Sequence, residues 1–125
     1  MSLRTTPVAR QVIGCAIAVH RELGPGLLES AYEPCLEYEL LKADLRVVRQ
    51  VPIPLDYRGL RMDCAFRADL IVQDAVLVEV KCVNAILPLH VAQVLTYLKL
   101  TGLREALIIN FNEALLKDGL RSVLC

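Results

Sequence analysis

Two neighbouring segments of alternating residues constrain the fold of this chain more than any other feature. In Cys64–Val72, every second residue from Phe66 onward is predicted to lie on one face, and in Ala75–Cys82 the same holds from Val76 onward. A repeat of two residues is typical of β-strands with one packed face. If residues 73–75 form the connecting loop, the two segments are predicted to pair as an antiparallel hairpin.

Helical spacing of apolar residues predicts two helices before the strands. Thr6 and Pro7 are an N-cap and first-turn pair, and the first helix is predicted to run from them to a stop at Gly24. A second helical pattern covers Leu28–Leu40. Pro34 lies inside it, removes a backbone donor and crowds the preceding turn, so we expect a bend or a late helix start near this residue.

The rest of the chain adds one helix and further strands. The helix is predicted over Pro88–Leu100 with Gly102 as its stop, and residues 105–110 form a buried strand. Two prolines place Gln50–Tyr57 at the edge of a sheet. The tail is predicted to form a short turn and a small strand at Leu120–Leu124.

This order of elements, two helices, three strands, a helix and a strand, predicts an α/β fold. The length of 125 residues favours one domain over residues 1–125. With 55% hydrophobic residues, the chain is not of the disordered class, and it lacks the roughly 20 consecutive apolar residues of a membrane span. The first residues have no apolar signal-peptide region, so we expect a cytoplasmic protein without a membrane partner.

Three polar residues of the hairpin are candidates for a metal-binding site. The three-residue loop places Asp69 directly opposite Glu79, with Cβ atoms ~5 Å apart on one face. Two carboxylates at this distance require a positive charge between them, and Lys81 projects from the same face. Carboxylate oxygens are also the ligands that Mg²⁺ prefers. The alternative explanation of the same three residues is a solvated face of a half-exposed sheet.

Three short motifs follow one another along the chain. They are Gly26-Leu27-Leu28-Glu29-Ser30-Ala31-Tyr32, then Asp69 with Glu79-Val80-Lys81, and then Gln93-Val94-Leu95-Thr96-Tyr97-Leu98. In this order and spacing the motifs resemble those of the GxxExxY protein family, which is placed in the PD-(D/E)XK nuclease superfamily. The resemblance extends from about Val12 to Asn110 and implies a restriction-endonuclease-like core, α-β-β-β-α-β, in which helices flank a mixed central sheet.

The resemblance implies a nuclease that depends on Mg²⁺ or Mn²⁺ and hydrolyses phosphodiester bonds of DNA or RNA. Asp69 and Glu79 match the residues that bind the metal, and Glu29 matches a further metal ligand. Lys81 matches the lysine that positions or activates the attacking water. Gln93 matches a catalytic glutamine that orients water or phosphate.

Three residues of the helix after Pro88 are predicted to face the carboxylates. His90, Gln93 and Tyr97 fall within about 60° of one another on a helix with 100° per residue. Tyr97 matches an accessory tyrosine beside the glutamine; its alternative is an aromatic at the core edge whose hydroxyl has a polar partner. For His90 the alternative is a surface histidine. We expect His20 to bond the last carbonyls of the first helix.

The balance of charges limits how this protein could bind nucleic acid. Fourteen basic and fourteen acidic side chains cancel, so binding of nucleic acid must depend on local groups of charges. We interpret the charges as an acidic pocket, to which Glu33 and Glu37 contribute, beside a basic rim. The rim is formed by arginines of the strand region: Arg46, Arg49, Arg58, Arg61 and Arg67.

A second function from another class remains open, a non-catalytic nuclease-fold module that binds a protein or a nucleic acid. The neutral charge, the few aromatic residues available for stacking bases and a size close to the bare core favour this alternative. The high apolar content predicts a homodimer. An enzyme with a cysteine or histidine nucleophile has less support, because no cysteine lies in a recognisable arrangement with a histidine and a carboxylate.

Overall fold

The structure, a computed structural model, describes residues 5–125 and contains, within that range, three α-helices and five β-strands. They are α1 (Pro7–Leu23), α2 (Glu29–Lys42), β1 (Val47–Tyr57), β2 (Leu60–Val72), β3 (Val76–Lys81), α3 (Pro88–Thr101), β4 (Glu105–Asn110) and β5 (Leu120–Leu124). A 3-10 turn at Leu116–Gly119 leads into β5. This order confirms the α/β class and the predicted α-β-β-β-α-β core.

The five strands form one mixed sheet in the order β1-β2-β3-β4-β5. β3 and β4 are parallel, and the other neighbours are antiparallel. The register of the β2–β3 hairpin, with Leu70 opposite Val78 and Val72 opposite Val76, confirms the loop at residues 73–75. β1 lies at the edge of the sheet, as its two prolines predicted.

Helices cover both faces of the sheet, and each face has its own apolar cluster. α1 and α2 pack on one face, where Val12 and Leu36 belong to a cluster that includes Val78 of the sheet. α3 packs on the other face, where Val94 joins a cluster with Ile108. The strands in the middle of the sheet are therefore buried on both sides, as a parallel pair requires.

The helix ends follow the local signals of the sequence, with one exception. The hydroxyl of Thr6 accepts the N–H of Ala9 at the start of α1, and Gly102 ends α3 in the left-handed conformation with φ of 77°. The expected late start of the second helix is wrong, because α2 begins at Glu29 and continues through Pro34. The carbonyl that loses its donor to Pro34 belongs to Ser30, which is exposed and accessible to water.

The apolar residues of β2 do not all share one face, which corrects the prediction for this strand. Leu70 and Val72 pack in the cluster beneath α1 and α2. Ala68 is buried in the cluster beneath α3, and Phe66 packs against that cluster. The strand therefore changes faces at Asp69.

None of the helices described in residues 5–125 combines the length and the apolar character that crossing a membrane requires. Residues 1–4 lie outside the described part of the chain.

Candidate functional site

β2 and β3 separate at Asp69 and Glu79, and the two side chains bridge the gap. The last backbone pair of the hairpin is Leu70–Val78. At the next position, the N–H of Asp69 donates to Oε2 of Glu79 at 2.9 Å, and the N–H of Val80 donates to Oδ2 of Asp69 at 2.8 Å. Each carboxyl group therefore replaces a ladder bond of the opposite strand, and this exchange holds the two carboxyl groups together.

Burial raises the pKa of both carboxyl groups. Glu79 is only 4% exposed, and burial together with the charge of Asp69 raises its pKa from 4.5 to about 8. Burial also raises the pKa of Asp69, whereas hydrogen bonds from Val80 and from Glu79 lower it. Near neutral pH and without a cation, Glu79 therefore holds a proton.

Lys81 supplies positive charge beside this pair. It is the last residue of β3 and is half-buried. Its ammonium group lowers the pKa of both Asp69 and Glu79, although these effects are smaller than that of burial. The structure thus brings together the three hairpin residues that the sequence singled out.

α3 closes the site from the other side. Tyr97 is 5% exposed, and its pKa is raised by burial and then by the charges of Glu79 and Asp69, so its hydroxyl lies in their field. The ring of Phe66 packs on Tyr97 with 5.5 Å between centroids. A groove of about 410 Å³ beside these rings is lined by His90 and Gln93 as well. The predicted common face of the three α3 residues is therefore present.

The two histidines make different contacts. His90 accepts the N–H of Leu87 on Nδ1 at 3.0 Å, so this nitrogen caps the start of α3 and Nε2 is directed elsewhere. His20 bonds the carbonyl oxygen of Glu113 through Nε2 at 2.7 Å. The expectation that His20 bonds the end of its own helix is wrong, because the loop before β5 provides a nearer carbonyl.

Glu29 lies apart from the carboxylate pair. It is the exposed first residue of α2, and its charge contributes to the raised pKa of Cys82, the residue after Lys81. Within residues 5–125, no group of three or more histidine, cysteine, aspartate or glutamate side chains is arranged to hold a metal ion. The structure brings Asp69 and Glu79 together and does not bring Glu29 to them.

The chemistry of the pair fits a divalent cation. Two carboxyl groups share one buried place, and the backbone amides use Oδ2 of Asp69 and Oε2 of Glu79, so one oxygen of each group has no amide donor. Mg²⁺ is usually held by one or two protein carboxylates and completes its shell with water. Asp69 and Glu79 are the residues that would hold such an ion.

A buried cluster around Glu33, near the site, was not predicted. Glu33 is 8% exposed and accepts two bonds from Arg49, at 2.7 Å from Nη2 and 3.1 Å from Nε. The side-chain amide of Gln50 donates to both oxygens of Glu33 at 2.9 and 3.0 Å. Arg49 also reaches Glu37 at 3.5 Å. The sequence shows these glutamates at a spacing of four residues, but it does not show which cation they bind.

These contacts correct the interpretation of a basic rim. Arg49 is neutralised by two glutamates instead of being free for phosphate. Arg46 lies 3.7 Å from Asp74, and Arg61 lies 3.1 Å from Asp63, so two more of the five arginines already have acidic partners.

Comparison with known proteins agrees with this arrangement. The family model of the PD-(D/E)XK nuclease superfamily matches residues 6–123, nearly the whole chain. No curated protein and no solved structure matches the chain. The five-stranded mixed sheet with flanking helices is consistent with the restriction-endonuclease-like fold of that superfamily. The chain therefore belongs to the PD-(D/E)XK nuclease superfamily.

Proposed function

We propose that this protein is a Mg²⁺- or Mn²⁺-dependent nuclease of the GxxExxY family that hydrolyses phosphodiester bonds of nucleic acids. One observation carries the proposal. Asp69 and Glu79 are held together where two strands separate, with the ammonium group of Lys81 in their field. Superfamily membership supports a nucleic-acid substrate.

The hydrolysis of a phosphodiester requires a nucleophilic water and a positive charge for the oxygens that become more negative in the transition state. A divalent cation held by Asp69 and Glu79 would supply positive charge that lowers the pKa of water and polarises the phosphate. Lys81 adds a second positive charge beside the pair, and its ammonium group can donate to the attacking water or to a phosphate oxygen.

The residues of α3 have roles that fit their positions. Gln93 is exposed in the groove, so its amide is free to orient water or phosphate. Tyr97 is buried at this groove, and its hydroxyl lies in the field of the two carboxyl groups. His90 presents Nε2 as an accessory group, because Nδ1 already caps the helix. Glu29 stays a predicted metal ligand, although the structure does not group it with Asp69 and Glu79.

The assembly and location of the protein remain predictions. A groove of about 560 Å³ between α1 and α2 is lined by Leu23 and the largely exposed Tyr38, and a second copy of the chain would cover such a surface in a homodimer. Light scattering over a concentration series should give twice the mass of one chain, and a constant single-chain mass would contradict the dimer. A cytoplasmic location and one domain over residues 1–125 are predicted as well.

The test of function is cleavage of single-stranded and duplex DNA and RNA in Mg²⁺ or Mn²⁺. Replacing Glu79 by Gln or Lys81 by Met should lower the cleavage rate by about 100-fold or more, because each substitution removes a charge that acts in the transition state. Lys99→Met is the matched control, since Lys99 is an exposed lysine of α3.

A wild-type protein that cleaves no substrate faster than the Glu79→Gln, Lys81→Met double variant would reject the catalytic proposal. The non-catalytic binding module would then be the better account. Calorimetry with Mn²⁺ separates the two functions further, because only the nuclease requires binding that is lost in Asp69→Ala.

A further inference from the structure

The ladder between β1 and β2 has a gap at the level of the carboxylates. The register is the same at Arg49–Leu70 and at Val51–Ala68, so Gln50 and Asp69 stand opposite each other, yet they do not pair. Gln50 has a φ of 53°, in the left-handed region that non-glycine residues seldom adopt. The strand is therefore interrupted at one residue, directly opposite Asp69.

The interruption changes the faces of the sheet to which the side chains of β1 point. Successive residues of a regular strand point to opposite faces, yet the neighbours Arg49 and Gln50 both reach Glu33 of α2. Apolar residues change faces at the same place. Val47 packs on the cluster beneath α1 and α2, whereas Ile53 is buried in the cluster beneath α3.

β2 makes the matching change at Asp69, where its buried residues pass from the α3 face to the face of α1 and α2. The N–H of Asp69 has no pairing with Gln50 and donates instead to Glu79. An uninterrupted β1 would offer Asp69 a regular partner and would compete with this bond.

We propose that Arg49, Glu33 and Gln50 form a positioning clamp, which fixes the interruption in β1 and thereby directs Asp69 toward Glu79. Glu33 is the centre of the clamp, because its buried carboxylate accepts four bonds from the other two side chains. Bonds to an ionised group are strong enough to offset the unfavourable φ of Gln50. The clamp acts through Asp69, and its link to catalysis rests on the proposed function.

The clamp can be tested without any activity, by amide hydrogen exchange of the full chain. The exchange rates of the Asp69 and Val80 amides report whether their hydrogen bonds to the two carboxyl groups are intact. The exchange rate of the Leu107 amide, in the buried strand β4, reports global stability. The variant is Gln50→Ala, which removes the tether at an exposed residue.

Gln73→Ala is the matched control. Gln73 also has a positive φ, of 56°, and its side chain also accepts a bond, from the N–H of Arg46 at 2.6 Å. It lies in the hairpin loop, away from the clamp. Any general effect of removing a bonded glutamine at a left-handed position should therefore appear in this control.

Gln50→Ala should speed exchange at Asp69 and Val80 by about tenfold and leave Leu107 unchanged, whereas Gln73→Ala should leave all three amides unchanged. Arg49→Met, which removes the cation that holds Glu33, should reproduce the local effect. If wild type cleaves nucleic acid, Gln50→Ala should lower kcat by about tenfold with little change in KM.

Unchanged exchange at Asp69 and Val80 in Gln50→Ala would overturn the clamp, and so would an equal increase at all three amides. Absence of cleavage by wild type would reject the proposed function alone, because the exchange result at Asp69 stands independently of activity.

Discussion

At the scale of single residues, the properties of the site follow from two carboxyl groups that share one buried place. Loop length alone predicted that Asp69 and Glu79 face each other, because a three-residue loop sets the register of a hairpin. The partner of Arg49 could not be predicted in the same way. Glu33 and Arg49 belong to different elements, so only their packing decides that they meet.

The free energy of unfolding of the metal-free protein should fall as pH rises. The pKa of Glu79 is about 8 in the folded chain and returns toward the ordinary 4.5 on unfolding. Between these values the folded state holds a proton that the unfolded state releases, so rising pH favours unfolding, by on the order of 1 kcal/mol per pH unit at most.

Urea melts in EDTA from about pH 5 to about pH 8 measure this dependence. Glu79→Gln cannot ionise at this position, so its free energy of unfolding should depend less on pH. Relative to wild type, the variant should be most stable at the highest pH. Parallel profiles for wild type and variant would contradict the assignment of the proton to Glu79.

A bound cation should restore the stability that the metal-free protein loses as pH rises. Mn²⁺ should raise the melting temperature of wild type more at pH 8 than at pH 6, because at the lower pH the cation must displace the proton of Glu79. At a concentration of 100 times Kd the gain corresponds to about 2.7 kcal/mol. Asp69→Asn removes one ligand and should abolish the shift, and an equal shift in both proteins would exclude this pair as the metal site.

At the scale of elements, the sequence predicted the helix ends that capping residues determine. Thr6 and Gly102 mark helix ends through their own backbone and side-chain preferences, and both ends are present. The change of faces in β2 could not be predicted from alternation, because it originates in the left-handed backbone of Gln50 and in the bonds of Gln50 to a different helix. Tertiary contacts decide such features.

Two glycines offer a matched test of the element packing. A Cβ at Gly119 would overlap the carbonyl oxygen of Asn110 at the end of β4, so one of the two backbone segments would have to shift. A Cβ at Gly14, an exposed residue inside α1, would meet nothing within 4 Å.

Gly119→Ala should therefore destabilise the protein by about 2 kcal/mol or more, whereas Gly14→Ala should stabilise it by about 0.5–1 kcal/mol through helix propensity. Urea denaturation of the two variants against wild type provides the comparison. Equal effects of the two substitutions would show that the 3-10 turn is not packed against β4 as described.

At the scale of the whole molecule, the order of elements and motifs predicted the α/β class and the superfamily, because each motif lies at a fixed place in the fold. The charge distribution was harder to predict. A net charge of zero combines buried carboxylates with a basic rim in which Arg46, Arg49 and Arg61 already have acidic partners. Weak binding of nucleic acid outside the catalytic step, with a small salt dependence, is the expected consequence, because few free cations remain in this rim to contact phosphates.

The central claim, that Asp69 and Glu79 hold a divalent cation, is tested most directly by anomalous scattering from a crystal soaked in Mn²⁺. We predict a peak at the carboxyl groups of Asp69 and Glu79, and no peak there in an Asp69→Asn crystal. A wild-type crystal without a peak between the two carboxyl groups, or with the same peak after the substitution, would contradict the account.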